Sequence, residues 1–222
     1  MGGNKIRVDD VDHGANTLPG EAWKLGGLIV VASLILSLSA CEDLLLLNAI
    51  RFYKQGYAQG PAGGFIFYVG NDFALETAPY GWYDGGDDPK ASWDSSETVL
   101  IGTGATSTEI GAGQENSDKI IEVIGAEGDD AAQLCANYSV SHNGVTYDNW
   151  FLPSEDELCE MYFMLHKQGV GGFKTDNYWS STEISSSSSD ANPFGSAPYY
   201  QEYLGKNSEA FVRPVRRVRS FE

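Results

Sequence analysis

Three aspartates, Asp84, Asp87 and Asp88, crowd one turn in the stretch NDFALETAPYGWYDGGDDPKASWD. Clustered carboxylate oxygens are what a hard cation such as calcium takes as ligands. The spacing does not match an EF-hand loop, so a solvated acidic turn is the favoured expectation and calcium the alternative. A second carboxylate pair, Asp156 and Glu157, invites a hydrolase reading. Neighbours on a helix point about 100° apart, so these two do not face one substrate bond. Capping explains them better. The glycine-rich IGTGATSTEIGAG has neither the Lys-Ser/Thr ending of a phosphate loop nor a GxGxxG, which argues against nucleotide binding. His13, His142 and His166 have no partner at metal-ligand spacing, and Cys41, Cys135 and Cys159 form no CxxC pair. With no nucleophile–base pair to assign, the expectation is a protein that is not an enzyme.

The element that organises the rest is the helix following Trp150. Pro153 fits just before a helix start, Ser154 is the expected N-cap, and Glu157 completes a capping box. Leu158, Met161, Tyr162 and Leu165 recur at helical spacing, and Gly169 is a natural left-handed stop. Further upstream, a helix capped by Asn116 or Ser117 is predicted through Ile124, with Ile120, Ile121 and Ile124 inward. Asp129 starts another, with Ala131, Leu134, Cys135 and Tyr138 on one face. This buries Cys135 and sets Cys159 beside the apolar stripe of the Ser154 helix. Outside the cytoplasm, a disulfide between these two and a pair of buried free thiols stand as alternatives.

Strands are expected at Phe65–Val69, after the turn-forming Gly60-Pro61 and Gly63-Gly64, and at Tyr178–Glu183. Trp150 and Trp179 are predicted core residues. The serine-rich stretch from Ser185 to Ser189 and on to Pro198 reads as a surface loop. Tyr199–Leu204 and Ala210–Val218 read as a hairpin around Gly205-Lys206-Asn207. Arg213 and Arg216, with Arg217 and Arg219, are expected to be satisfied internally by carboxylates. The formal net charge of −17 opposes contact with a phosphate backbone, so no nucleic-acid partner is expected.

The N-terminal part carries a different signal. Residues 25–40, LGGLIVVASLILSLSA, are apolar or small, yet fall short of the ~20 residues of a comfortable membrane span. They fit the apolar core of a signal peptide introduced by Lys24. Leu38-Ser39-Ala40-Cys41 resembles the lipobox of bacterial lipoproteins. That resemblance implies cleavage before Cys41 and acylation of its sulfur, hence a membrane anchor in the cell envelope. The expected organisation is a signal segment over 1–40, the lipidated cysteine and a tether over 41–59, and one domain over 60–222.

GPAGGFIFY, LETAP, IGTGATSTEI, AAQLCANY, NWFLPSEDEL, YWSSTE and VRPVRRV occur here in order. Together they resemble the Lcl C-terminal domain family, grouped with the C-type-lectin-like superfamily, over about Gly60 to Val218. The resemblance implies an α+β domain, with a small twisted antiparallel sheet, two or three flanking helices and long irregular loops. It also implies an envelope protein that recognises a glycan or a protein. Calcium-bridged sugar binding uses Glu-Pro-Asn or Gln-Pro-Asp followed by Trp-Asn-Asp. The nearest strings, Ala191-Asn192-Pro193 and Asp148-Asn149-Trp150, do not fit. The candidate ligand-facing residues are Asp176, Asn177, Glu183, Asn192, Tyr199 and Tyr200, since aromatic faces stack on sugar rings and Asn or Asp satisfy hydroxyls.

Overall fold

A computed structural model describes residues 58–96, 102–195 and 202–219. The signal segment, Cys41, the tether through residue 57, and Tyr199 and Tyr200 lie outside the described residues. The described fold is α+β. Its elements are β1 (Phe65–Val69), β2 (Phe73–Thr77), β3 (Lys90–Ser92), α1 (Gly113–Ile124), α2 (Ala131–Ala136), β4 (Val140–His142), β5 (Val145–Tyr147) and β6 (Trp150–Phe151). Then come α3 (Glu155–Met164), a 3-10 turn (His166–Gln168), β7 (Asn177–Ser185), β8 (Ser188–Pro193), β9 (Glu202–Gly205), β10 (Glu209–Phe211) and β11 (Val215–Arg219).

Two sheets and a ribbon replace the single small sheet expected from sequence. One sheet runs β1-β2-β11-β6, the second β3-β10-β7-β8-β9, and β4 and β5 pair alone. All pairings are antiparallel except β10 with β7, which meet in parallel at Phe211 and Tyr178.

β7 separates two packed regions because successive strand side chains point to opposite faces. Trp179, with Ala191 of β8, packs with Trp93, Ile120 of α1, Cys135 of α2 and Leu152. Tyr178, with Phe194, packs with Leu158, Met161 and Leu165 at α3 and with Phe67, Leu75 and Val215 of the first sheet. The two tryptophans lock this arrangement by reaching across: Trp179 Nε1 donates to Ala91 O at 2.8 Å and Trp93 Nε1 to Ser180 O at 2.9 Å.

The α3 expectation agrees with the structure: Ser154 is the N-cap, the Ser154–Glu157 capping box is formed, and Gly169 ends the following 3-10 turn at φ 73°. Three other expectations are corrected. Asn116 and Ser117 do not cap α1, which begins at Gly113; they are buried inside it. There Asn116 Nδ2 donates to Ser107 O and Ser117 Oγ to Leu152 O. The N-cap of α2 is Asp130 rather than Asp129, and Tyr138 falls beyond that helix.

The serine-rich stretch is a surface turn only over residues 185–187, which are exposed; from Ser188 it is a strand, and residues 196–198 lie outside the described residues. Ser185 Oγ accepts the amides of Ser187 and Ser188, which turns the chain tightly and starts β8. β8 then lies between β7 and β9, with Ser189, Asp190, Ala191 and Asn192 all buried. Among the described residues the expected hairpin is not formed: β9 pairs with β8, β10 with β3 and β7, and β11 enters the other sheet. Pairing on two sides outweighs the poor strand propensity of Ser, Asp and Asn.

Candidate functional site

The acidic turn divides its aspartates among different environments. Gly81 and Gly85 take positive φ and Asp84 follows at φ 51°, which leaves Asp84 exposed at the tip. Asp88 goes the other way, into the core. Its Oδ1 accepts from Trp82 Nε1 (2.8 Å) and Arg213 Nε (2.7 Å). Its Oδ2 accepts from Arg213 Nη2 (2.7 Å) and the Tyr178 hydroxyl (2.6 Å). Both oxygens are thus committed to structure. Among the described residues, no group of three or more His, Cys, Asp or Glu side chains is set to hold a metal ion.

Asp87 stays at the surface and there builds something the sequence did not announce. Lys174 Nζ sits 2.6 Å from Asp87 Oδ2, and the Tyr80 hydroxyl donates to Asp87 Oδ1 at 3.1 Å. The Lys174 contact holds the Asp87 carboxyl below the usual carboxylate range and raises the lysine in turn. The Tyr80 ring lies against Gly172, where an added Cβ would stand 2.4 Å from its Cδ2. Gly172 is at φ 67°, so glycine answers both the close approach and the left-handed backbone. The result is an aromatic ring held at its hydroxyl and from behind, 53% exposed.

The segment that carries Lys174 continues into two residues expected at the ligand surface. Asp176 pairs with Lys90 (2.7 Å), which holds its carboxyl low, and Asn177 Nδ2 donates to Glu202 at 2.7 Å. Lys90 also stands over the Phe211 ring at 4.8 Å. Beside Tyr80 the surface therefore presents a carboxylate and an ammonium, Asp87 and Lys174, matched to each other. Only the turn chemistry of Pro79-Tyr80-Gly81 hints at this in the sequence. Gly172, which backs the ring, lies almost a hundred residues downstream, although Asp87 is close in sequence.

Two other candidates are corrected. Glu183 is buried, where Lys206 Nζ contacts Oε1 and the amides of Thr103 and Gly104 donate to the carboxylate. Burial pushes this carboxyl up, but the lysine and the amides outweigh it and hold it low. Asn192 is buried on β8, with Nδ2 donating to Cys159 Sγ at 3.0 Å. Cys135 and Cys159 are free thiols, the first buried and the second half-buried. Burial pushes the Cys159 thiol up to about 11 and Cys135 well above its ordinary value, so neither is a ready nucleophile.

Trp150 is core, packed against Tyr138 with ring centroids 5.1 Å apart and tilted by 54°. Arg213 and Arg216 are buried and matched by carboxylates, as the sequence led us to expect, whereas Arg217 and Arg219 are exposed. Arg216 Nη1 donates to Glu76 Oε2 at 2.9 Å. Glu76 also accepts the amides of Ala62 and Gly64. Glu157, offered as half of a catalytic pair, is buried and accepts the amides of Ser154 and Gly111. No family model matches this chain, and no curated protein matches it.

Proposed function

We propose that this chain is a lipid-anchored protein of the bacterial cell envelope that displays a C-type-lectin-like domain for glycan or protein recognition. Cys41 is the lipidated residue, and the domain binds rather than catalyses. The observation that supports the reading best is the Tyr80 platform. A fixed aromatic ring whose hydroxyl is held by Asp87, itself paired with Lys174, offers one apolar face beside aimed polar groups, the combination by which proteins hold sugar rings. The charges there are matched, and the chain as a whole is strongly acidic, so an uncharged glycan fits better than a sulfated one.

The test is a glycan array on residues 42–222, with and without calcium, alongside Tyr80→Ala. Binding lost in Tyr80→Ala supports the reading. Uniformly blank arrays favour a scaffold that assembles through the segment from Leu44 to Tyr53, and sizing the same fragment by light scattering checks that. For the anchor, Cys41→Ala in the full chain is expected to abolish acylation and release the protein from membranes. Unchanged retention would overturn that part.

A further inference from the structure

β8 places a carboxylate where the fold supplies it no complete set of donors. Asp190 is 1% exposed and Asn192 4%, and as alternate residues of one strand they share a face. Asp190 Oδ2 and Asn192 Oδ1 are both buried acceptors without a hydrogen-bond partner. A buried polar atom left in that state costs about 1–3 kcal/mol, and more when it carries charge. The amide of Asn192 is already turned to Cys159 Sγ.

The surroundings are those of an acid that keeps its proton. From α3, the charges of Glu155 and Asp156 act on Asp190, and Cys159 of the same helix adds only a thiol. From β7 comes the hydroxyl of Ser180, which bonds the Asp190 carbonyl. From β9 comes Tyr203, the register partner of Asp190. The charged groups acting on Asp190 are all acids. Burial first, then Glu155 and Asp156, push the Asp190 carboxyl up to about 7 against the lowering effect of the Ser180 hydroxyl. A proton on Oδ2 turns an orphaned acceptor into a donor, on a strand face where Asn192 Oδ1 is a second acceptor without a partner.

We propose that Asp190 is a proton-operated latch between β8 and α3. With its proton in place, the first turn of α3 seats against β8; once ionised, Asp190 sets a third carboxylate against Glu155 and Asp156, and that seat loosens. This inference is independent of the glycan reading. A carboxyl whose folded pKa lies above its unfolded one stabilises the fold fully below the unfolded value, 3.8. That contribution is lost as pH rises through about 7.

The experiment compares the full chain with Asp190→Asn by urea unfolding between pH 4 and pH 8.5. Hydrogen exchange of α3 amides is followed in parallel, with rates corrected for intrinsic pH dependence. The ratio of the two proteins' unfolding constants is expected to change with pH by up to roughly a thousandfold, tenfold for each of about three units. The α3 amides of the wild type, but not of Asp190→Asn, are expected to exchange faster above pH 7, with β1 and β2 amides unaffected. Parallel behaviour of the two proteins at every pH would overturn the proposal. Should Asp190→Asn fail to fold, carboxyl-carbon NMR of the wild type decides: a midpoint near 7 supports the latch, and one below 5 overturns it.

Discussion

Arg213 closes on Asp88 through two parallel bonds, Nε to Oδ1 and Nη2 to Oδ2, each 2.7 Å long, where neither side chain reaches water. Arg213 Nη1 continues to the carbonyls of Ala78 and Gly171, and the guanidinium lies 4.3 Å from the Phe173 ring. One arginine thereby ties the end of β2, the acidic turn and the approach to β7 together. Arg213→Met leaves Asp88 buried and uncompensated, and is expected to cost about 3–5 kcal/mol in urea unfolding. Arg213→Lys loses the planar fork and is expected to fall well short of rescue. Joint replacement with Asp88→Leu is expected to recover part of the loss.

Gly64 gives a steric prediction. A Cβ there would stand 1.7 Å from the Thr77 carbonyl oxygen, at the mouth of the β1–β2 pair, while its amide is engaged by Glu76. Backbone cannot yield as a side chain does. Gly64→Ala is expected to lower stability by about 3 kcal/mol or more, read as a shift of the urea midpoint.

The capping box predicts a graded pair. Ser154→Ala removes one cap and is expected to cost about 1 kcal/mol. Glu157 does more, because its second oxygen accepts the Gly111 amide at 2.8 Å and so binds the start of α1 to the start of α3. Glu157→Ala strands buried amides and is expected to cost about 2 kcal/mol. The same unfolding assay ranks the two, and an equal loss would show that the Gly111 bond contributes nothing.

Glu183 and Asp190 predict opposite pH slopes from nearby positions on paired strands. Held below its ordinary value by Lys206 and two amides, Glu183 stabilises the fold above its unfolded pKa of 4.5. That contribution is lost as pH falls through the folded value. Lys206 is buried over the Trp93 ring at 4.4 Å, so Lys206→Met keeps its bulk and removes its charge. The variant is expected to be destabilised at pH 7 and to approach the wild type at pH 3. Urea midpoints at the two pH values check this, and an equal deficit at both would remove the charge argument.

The sequence by itself determined what is written within one or two helical turns: the Pro153 entry, the Ser154–Glu157 box, the apolar stripe of α3 and the strand nature of 178–183. It also determined the composition logic by which Arg213 and Arg216 needed carboxylates inside, though not which ones. Asp88 and Arg213 stand 125 residues apart in the chain, and no local pattern marks them as partners. β8 shows the limit most plainly. Ser-Ser-Asp-Ala-Asn-Pro has the composition of a loop, and only β7 on one side and β9 on the other make it a buried strand. Tyr80 became a platform in the same way, because Gly172, far along the chain, backs its ring while nearby Asp87 holds its hydroxyl. Local propensity is worth tenths of a kcal/mol per residue, whereas two-sided pairing and burial are worth several, so tertiary context decided wherever the two disagreed.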